Sequence, residues 1–113
     1  MRIEKQKMSI AHNKETRSPK LQADIIEQIL LCCTNKTSFY ILVSTIQKIM
    51  TISLWDLKRY LFYLIDYRLV SYNGQKQIFT IEYGGFGLLD IIDKEKRQRR
   101  NNLKDFTITF ECI

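Results

Sequence analysis

The stretch "LVSYNGQKQIFTI", residues 69–81, limits the possible fold more than any other. Two short runs rich in β-branched and aromatic residues flank Asn73–Gly74, a pair that supports the positive φ angles of a tight type I′ turn. The pattern predicts a β-hairpin with Asn73, Gly74, Gln75 and Lys76 at its tip. An amphipathic helix stands directly before it. In "SLWDLKRYLFYLID", Ser53 is a helix-capping residue and Asp56 at the third helical position resembles a shortened capping box. Leu54, Leu57, Leu61, Leu64 and Ile65 form its apolar stripe. The helix is expected over about residues 53–67 and the hairpin over about 69–82.

Two further helices come first. In "SPKLQADIIEQILLCC", Ser18 reads as an N-cap and Pro19 as the first helical residue. Leu21, Ile25 and Ile29, and Ile26, Leu30 and Cys33, recur at spacings of three and four. "TNKT" at 34–37 breaks this helix. "SFYILVSTIQKIM" opens with an apolar run that suits a strand or a buried helical turn, then keeps helical spacing through Ile46, Ile49 and Met50. It is read as a helix over roughly 38–50. Only Thr51 and Ile52 separate it from the next helix.

After the hairpin, Gly84 and Gly85 of "EYGGFG" are expected to mark a break. "FGLLDIIDKEKRQRRNNL" then reads as a fourth helix, apolar at Leu88, Leu89, Ile91 and Ile92 and basic beyond. The end, "DFTITFECI", alternates like a strand without a placed partner, and pairing with another chain stays open. Residues 1–17 are polar and lack a period, as in an arm that is disordered when free. The division expected is an arm (1–17), one domain (18–97) and a tail (98–113).

Helix, helix, tight junction, helix and hairpin in this order describe a winged helix-turn-helix, mainly α with a small β-hairpin wing. In such an arrangement the third helix enters the major groove and the wing lies beside it. On a helical wheel Arg59, Trp55, Asp56, Tyr63 and Asp66 oppose the apolar stripe, and Lys58 flanks it. Arg can bond two acceptors of guanine, and Ser53 with the first-turn amides can hold a phosphate. The candidate DNA contacts are Ser53, Trp55, Lys58, Arg59, Tyr63, Asn73, Gln75 and Lys76. A solvated helix face is the plainer reading of Lys58 and Arg59, and a packing contact is the plainer reading of Trp55.

Charge points the same way, unevenly. The net charge is +6 over 113 residues. Residues 1–20 hold six basic and two acidic side chains (+4), residues 21–93 six and seven (−1), and residues 94–113 six and three (+3). Basic ends on a near-neutral body suit a polyanion partner, and "KEKRQRR" at 94–100 could follow a phosphate backbone or be a solvated helix end. Asp56 and Asp66 oppose phosphate, so the third helix alone is not strongly cationic.

Other chemistry finds little purchase. Cys32, Cys33 and Cys112 are odd in number and lack metal-ligand spacing, as in a reducing cytoplasm. The single histidine, His12, has no partner pattern. "YGGFG" lacks the spacing and the lysine of a phosphate loop. No catalytic function, metal or cofactor is expected. No secretory leader is read in the first 20 residues, and no run approaches the roughly 18 apolar residues of a membrane span.

"RSPKLQADIIEQIL", "STIQKIMTISLWDLKRYLFYLIDYRLVSY" and "FTIEYGGFGLLDII" together resemble the small archaeal winged helix-turn-helix family. The matching positions are Arg17 and Ser18, Ile52 and Ser53, Leu57 to Leu61, Leu69 and Val70, and Ile81 to Gly84, within about residues 17–97. The stretch "NKTSFYILV" departs from the small residues and Gly usual there, and the final helix has a single apolar cluster. The resemblance implies a DNA-binding homodimer joined through the last helix, here Leu88, Leu89 and Ile92. The expected function is a transcriptional regulator on double-stranded DNA, cytoplasmic and nucleoid-associated. The alternatives are an architectural chromatin protein with little base readout and a winged helix used for protein–protein contact.

Overall fold

The computed structural model describes residues 2–5 and 19–112. The chain is mixed α/β. Strands β1 (Arg2–Lys5) and β2 (Lys20–Gln22) precede helices α1 (Ala23–Cys33), α2 (Phe39–Gln47) and α3 (Leu54–Asp66). A hairpin of β3 (Val70–Asn73) and β4 (Ile78–Ile81) leads to α4 (Tyr83–Gln98) and strand β5 (Thr107–Cys112). Four helices with a hairpin agree with the helix-plus-hairpin expectation. A second sheet does not follow from it: β5 lies between β1, to which it is parallel, and β2, to which it is antiparallel.

That sheet corrects two readings. The tail's alternation runs from Phe106, just before β5, through Ile108 and Phe110 in this central strand of the same chain, with all three side chains buried. Arg2–Lys5, read as part of an arm, form a strand beside it, while residues 6–18 lie outside the described residues. The sheet also moves the start of the first helix. Lys20–Gln22 pair with Thr107–Thr109, and the Ala23 N–H donates to the Phe106 carbonyl at 3.0 Å, extending the ladder by one residue. The helix therefore begins at Ala23 rather than at Pro19, with Gln22 as N-cap making no side-chain cap bond. Ser18, the expected cap, lies outside the described residues.

Helix α1 is the centre of the core. Ile26, Ile29, Leu30 and Cys33 are fully buried, and α2, α4, β2 and β4 all pack on this helix. Glu27 is buried on the same helix and meets Lys96 of α4 at 3.3 Å. Such a pair fixes the α1–α4 register because a buried carboxylate without a partner is costly.

Helix α4 begins at Tyr83, so Gly84 and Gly85 lie in its first turn instead of forming a break. The cause is close packing. A Cβ on Gly85 would collide with the Leu69 carbonyl and would stand 2.6 Å from Ile81 Cγ1. Leu88 and Ile92 of this helix are buried in the chain's own core, and Leu89 packs against it. Leu88 and Ile92 are thus core residues, and a dimer contact through them would have to open the protomer, whereas Leu89 is half-buried. The exposed apolar side chains of α4 are Tyr83, Phe86 and Ile91.

Candidate functional site

Helix α3 is capped as its sequence suggests, with Ser53 Oγ accepting from the Asp56 N–H at 3.0 Å. Its rotation about its own axis differs from the expected stripe. Leu57, Tyr60, Leu61 and Leu64 are buried, whereas Leu54 and Ile65 are exposed. Tyr60 enters the core because its hydroxyl is satisfied there, accepting the Gln22 N–H at 2.9 Å. Burial raises its pKa above the ordinary value.

The rotation redistributes the candidate contacts. Trp55 is 75 % exposed, and Lys58 and Arg59 are also exposed. Arg59 Nε lies 3.7 Å from Asp56 Oδ1 one turn earlier, so part of its charge is met on the helix itself. Tyr63, expected on the open face, turns instead toward β5, where its ring centroid is 6.0 Å from that of Phe110. Tyr67 packs edge-on against the same ring at 4.8 Å and donates its hydroxyl to the Glu111 carbonyl at 2.9 Å. The second half of α3 is thereby anchored on the β1–β5–β2 sheet, and only its first half and one flank are open.

The hairpin lies where the Asn–Gly pair suggests, but with a different turn. The strands pair from Val70–Ile81 to Asn73–Ile78, leaving Gly74 to Gln77 as the connection. Asn73 Oδ1 accepts from the N–H groups of both Gln75 and Lys76 at 3.0 Å. The positive φ, 55°, falls on Gln77, and no glycine has one. An Asn side chain that mimics a backbone turn lets a four-residue loop replace the two-residue type I′ turn. Asn73 is therefore occupied in the turn, while Gln75 and Lys76 are exposed at its tip. A bridge between Thr37 and Phe79 ties the α1–α2 connection to β4.

Between α3 and the hairpin runs a groove of about 350 Å³. Its walls are Leu61, Phe62 and Ile65 of α3, with Phe39, Phe79 and Tyr72 opposite. Phe62 is 66 % exposed. The Tyr72 and Phe79 ring centroids are 4.6 Å apart, and those of Phe39 and Phe79 are 6.4 Å apart. Lys58 also lines the groove, its Nζ 5.7 Å from the Phe39 ring centroid. Sequence reasoning singled out Lys58 but missed these aromatic residues. Their signal was present in Phe62, four residues after Lys58, which the rotated helix turns outward.

The basic run of α4 is largely neutralised within the chain. Lys94 pairs with Asp90 at 3.2 Å, Arg97 with Asp93 at 2.7 Å, Arg99 with Glu95 at 2.7 Å, and Lys96 with Glu27. Four of the five cations in "KEKRQRR" thus have a carboxylate partner. Burial, with Cys32 adding to it, pushes the Cys33 thiol up to about 12, and burial raises Cys32 as well, so neither is favoured as a thiolate. Among the described residues no group of three or more His, Cys, Asp or Glu could hold a metal ion, and no helix is long and apolar enough to cross a membrane. No protein-family model, curated protein or solved structure matches the chain.

Proposed function

We propose that this chain is a winged helix-turn-helix regulator that binds double-stranded DNA, with α3 in the major groove and the β3–β4 hairpin as its wing. The observation that carries the reading is that Trp55, Lys58 and Arg59 of α3 are exposed, and that Lys58 lines a groove shared with Tyr72 and Phe79 of the hairpin. Ser53 and the first-turn amides are available to a phosphate, and Gln75 and Lys76 to the neighbouring backbone. The Thr37–Phe79 bridge supports the reading by bracing the hairpin against the helical body. Asn73 and Tyr63 drop out of the contact set, since one holds the turn and the other packs on Phe110. The resemblance to small archaeal winged helices agrees with this assignment.

A second reading, a winged helix that contacts another protein, is favoured by one feature. The α3–hairpin flank is more aromatic than cationic, and Asp56 offsets Arg59. Duplex titrations at two salt concentrations, with random sequence and with a selected pool, separate the readings. A regulator enriches one motif and loses affinity steeply as salt rises. Salt-sensitive binding without enrichment identifies an architectural protein. Absence of binding at low salt rejects DNA and leaves the protein contact.

A further inference from the structure

The aromatic groove has more to recommend it than its position beside α3. Tyr72, exposed, and Phe39, half-buried, present rings on one wall over a floor formed by the buried Phe79, and Phe62 faces solvent from the other. Apolar surface left this open is costly in water, and flat rings are well suited to offset or edge-on contact with another ring. Among the residues that line the groove, Lys58 carries the only formal charge. Its ammonium stands over the Phe39 ring, at the rim of the apolar surface. A volume of about 350 Å³ lies at the small end of clefts that hold compact ligands.

We infer that the groove between α3 and the β3–β4 hairpin binds a small aromatic monoanion, its ring against Phe39, Phe79, Tyr72 and Phe62 and its carboxylate or sulfonate at Lys58. A bound anion neutralises Lys58 and covers Phe62, both on the flank assigned to DNA. It therefore opposes duplex binding. This regulatory consequence rests on the DNA-binding reading, whereas the binding itself does not.

The test uses two fluorescent probes on the full chain without DNA. Anilinonaphthalene sulfonate is aromatic and anionic, and phenylnaphthylamine is its neutral counterpart. The wild-type chain is expected to bind the sulfonate saturably and more tightly than the neutral amine. Lys58→Met is expected to weaken the sulfonate by roughly two- to fivefold, the scale of an exposed ion pair, and to leave the amine unchanged. Phe62→Ser weakens both, and Phe86→Ser, an exposed aromatic on α4 outside the groove, weakens neither. The inference is overturned by absence of saturable binding, by equal affinity of the wild-type chain for the two probes, or by equal losses in the Phe62 and Phe86 variants. The wild-type comparison needs no variant to fold. In a final arm the sulfonate is added to a duplex titration, where weakened binding is expected and undiminished binding overturns the regulatory consequence. If the probes behave as expected and the chain binds no duplex, the DNA reading fails and the groove stands.

Discussion

Helices α3 and α4 are both amphipathic, and both end in the same way. At the end of α3, the Arg68 and Leu69 N–H groups bond to Ile65 and Leu64; at the end of α4, those of Arg100 and Asn101 bond to Arg97 and Lys96. Each end is a Schellman cap with an arginine in the left-handed region, at φ 61° and 58°. Their outer faces differ. Along α4, carboxylates and cations alternate at a spacing of four and cancel one another. Along α3, a tryptophan and a phenylalanine face solvent, and Lys58 lies over an aromatic ring. The more basic helix therefore offers the less available charge. A count of Lys and Arg along a sequence measures neither pairing nor direction, and both decide what a polyanion meets.

The inner faces should behave alike. Leu64→Ala on α3 and Ile92→Ala on α4 each remove a fully buried side chain, and each is expected to cost about 2–5 kcal/mol in urea unfolding. The Ile92 result also bears on assembly. As a core residue it should destabilise equally at every protein concentration, whereas a dimer contact would give a midpoint that moves with concentration.

Two glycines test how far packing alone shapes α4. Gly85→Ala is expected to destabilise by about 1–3 kcal/mol, because the added carbon meets the Leu69 carbonyl and Ile81. Gly87→Ala, two residues on, meets nothing within 4 Å and should stabilise by about 0.5–1 kcal/mol through helix propensity. Thermal unfolding of the two variants should therefore shift in opposite directions. A common direction would mean that the tight approach of α4 to Leu69 does not hold in solution.

Those glycines illustrate what the sequence could and could not convey. Local signals were legible: the Ser53 cap, the existence and order of the four helices, and the place of the hairpin. Signals whose partner is distant were not. Ser18–Pro19 reads as a helix start until β5 pairs with Lys20–Gln22 from the far end of the chain. A wheel ranks Tyr60 below Leu54 because it cannot see the Gln22 N–H waiting for the hydroxyl. The Asn73 side chain resets the turn by accepting two backbone bonds, a choice that the Asn–Gly pair leaves open. Of the candidate contacts, those on the first half of α3 and at the hairpin tip remain exposed. Tyr63 was lost to a strand whose position no local pattern specifies.

The paired C-caps allow a smaller comparison. Replacing Arg68 or Arg100 by Gly relieves a side chain of the left-handed conformation but loosens the unfolded chain, and the net gain should be about 0.5 kcal/mol at each site. Equal gains measured by thermal unfolding would mean that neither arginine contributes beyond its backbone. A loss at Arg68 alone would give that side chain a further role at the end of α3.

The smallest expected effect on stability divides the helices most cleanly on function. Lys58→Ala and Arg97→Ala each remove one exposed cation, and each should change stability by less than about 0.5 kcal/mol. Arg97 gives up an ion pair with Asp93 that is worth little in water, and the carboxylate stays solvated. Duplex affinity, plotted against salt concentration on logarithmic axes, should respond unequally if the DNA-binding reading holds. Lys58→Ala should reduce the slope by about one unit, the signature of one lost phosphate contact. Arg97→Ala should leave the slope near its starting value, because Arg97 lies on α4, outside the contact set proposed for α3 and the hairpin tip. Equal slopes in the two variants would return the basic run of α4 to the interface and remove the distinction between the two helices on which the assignment of α3 depends.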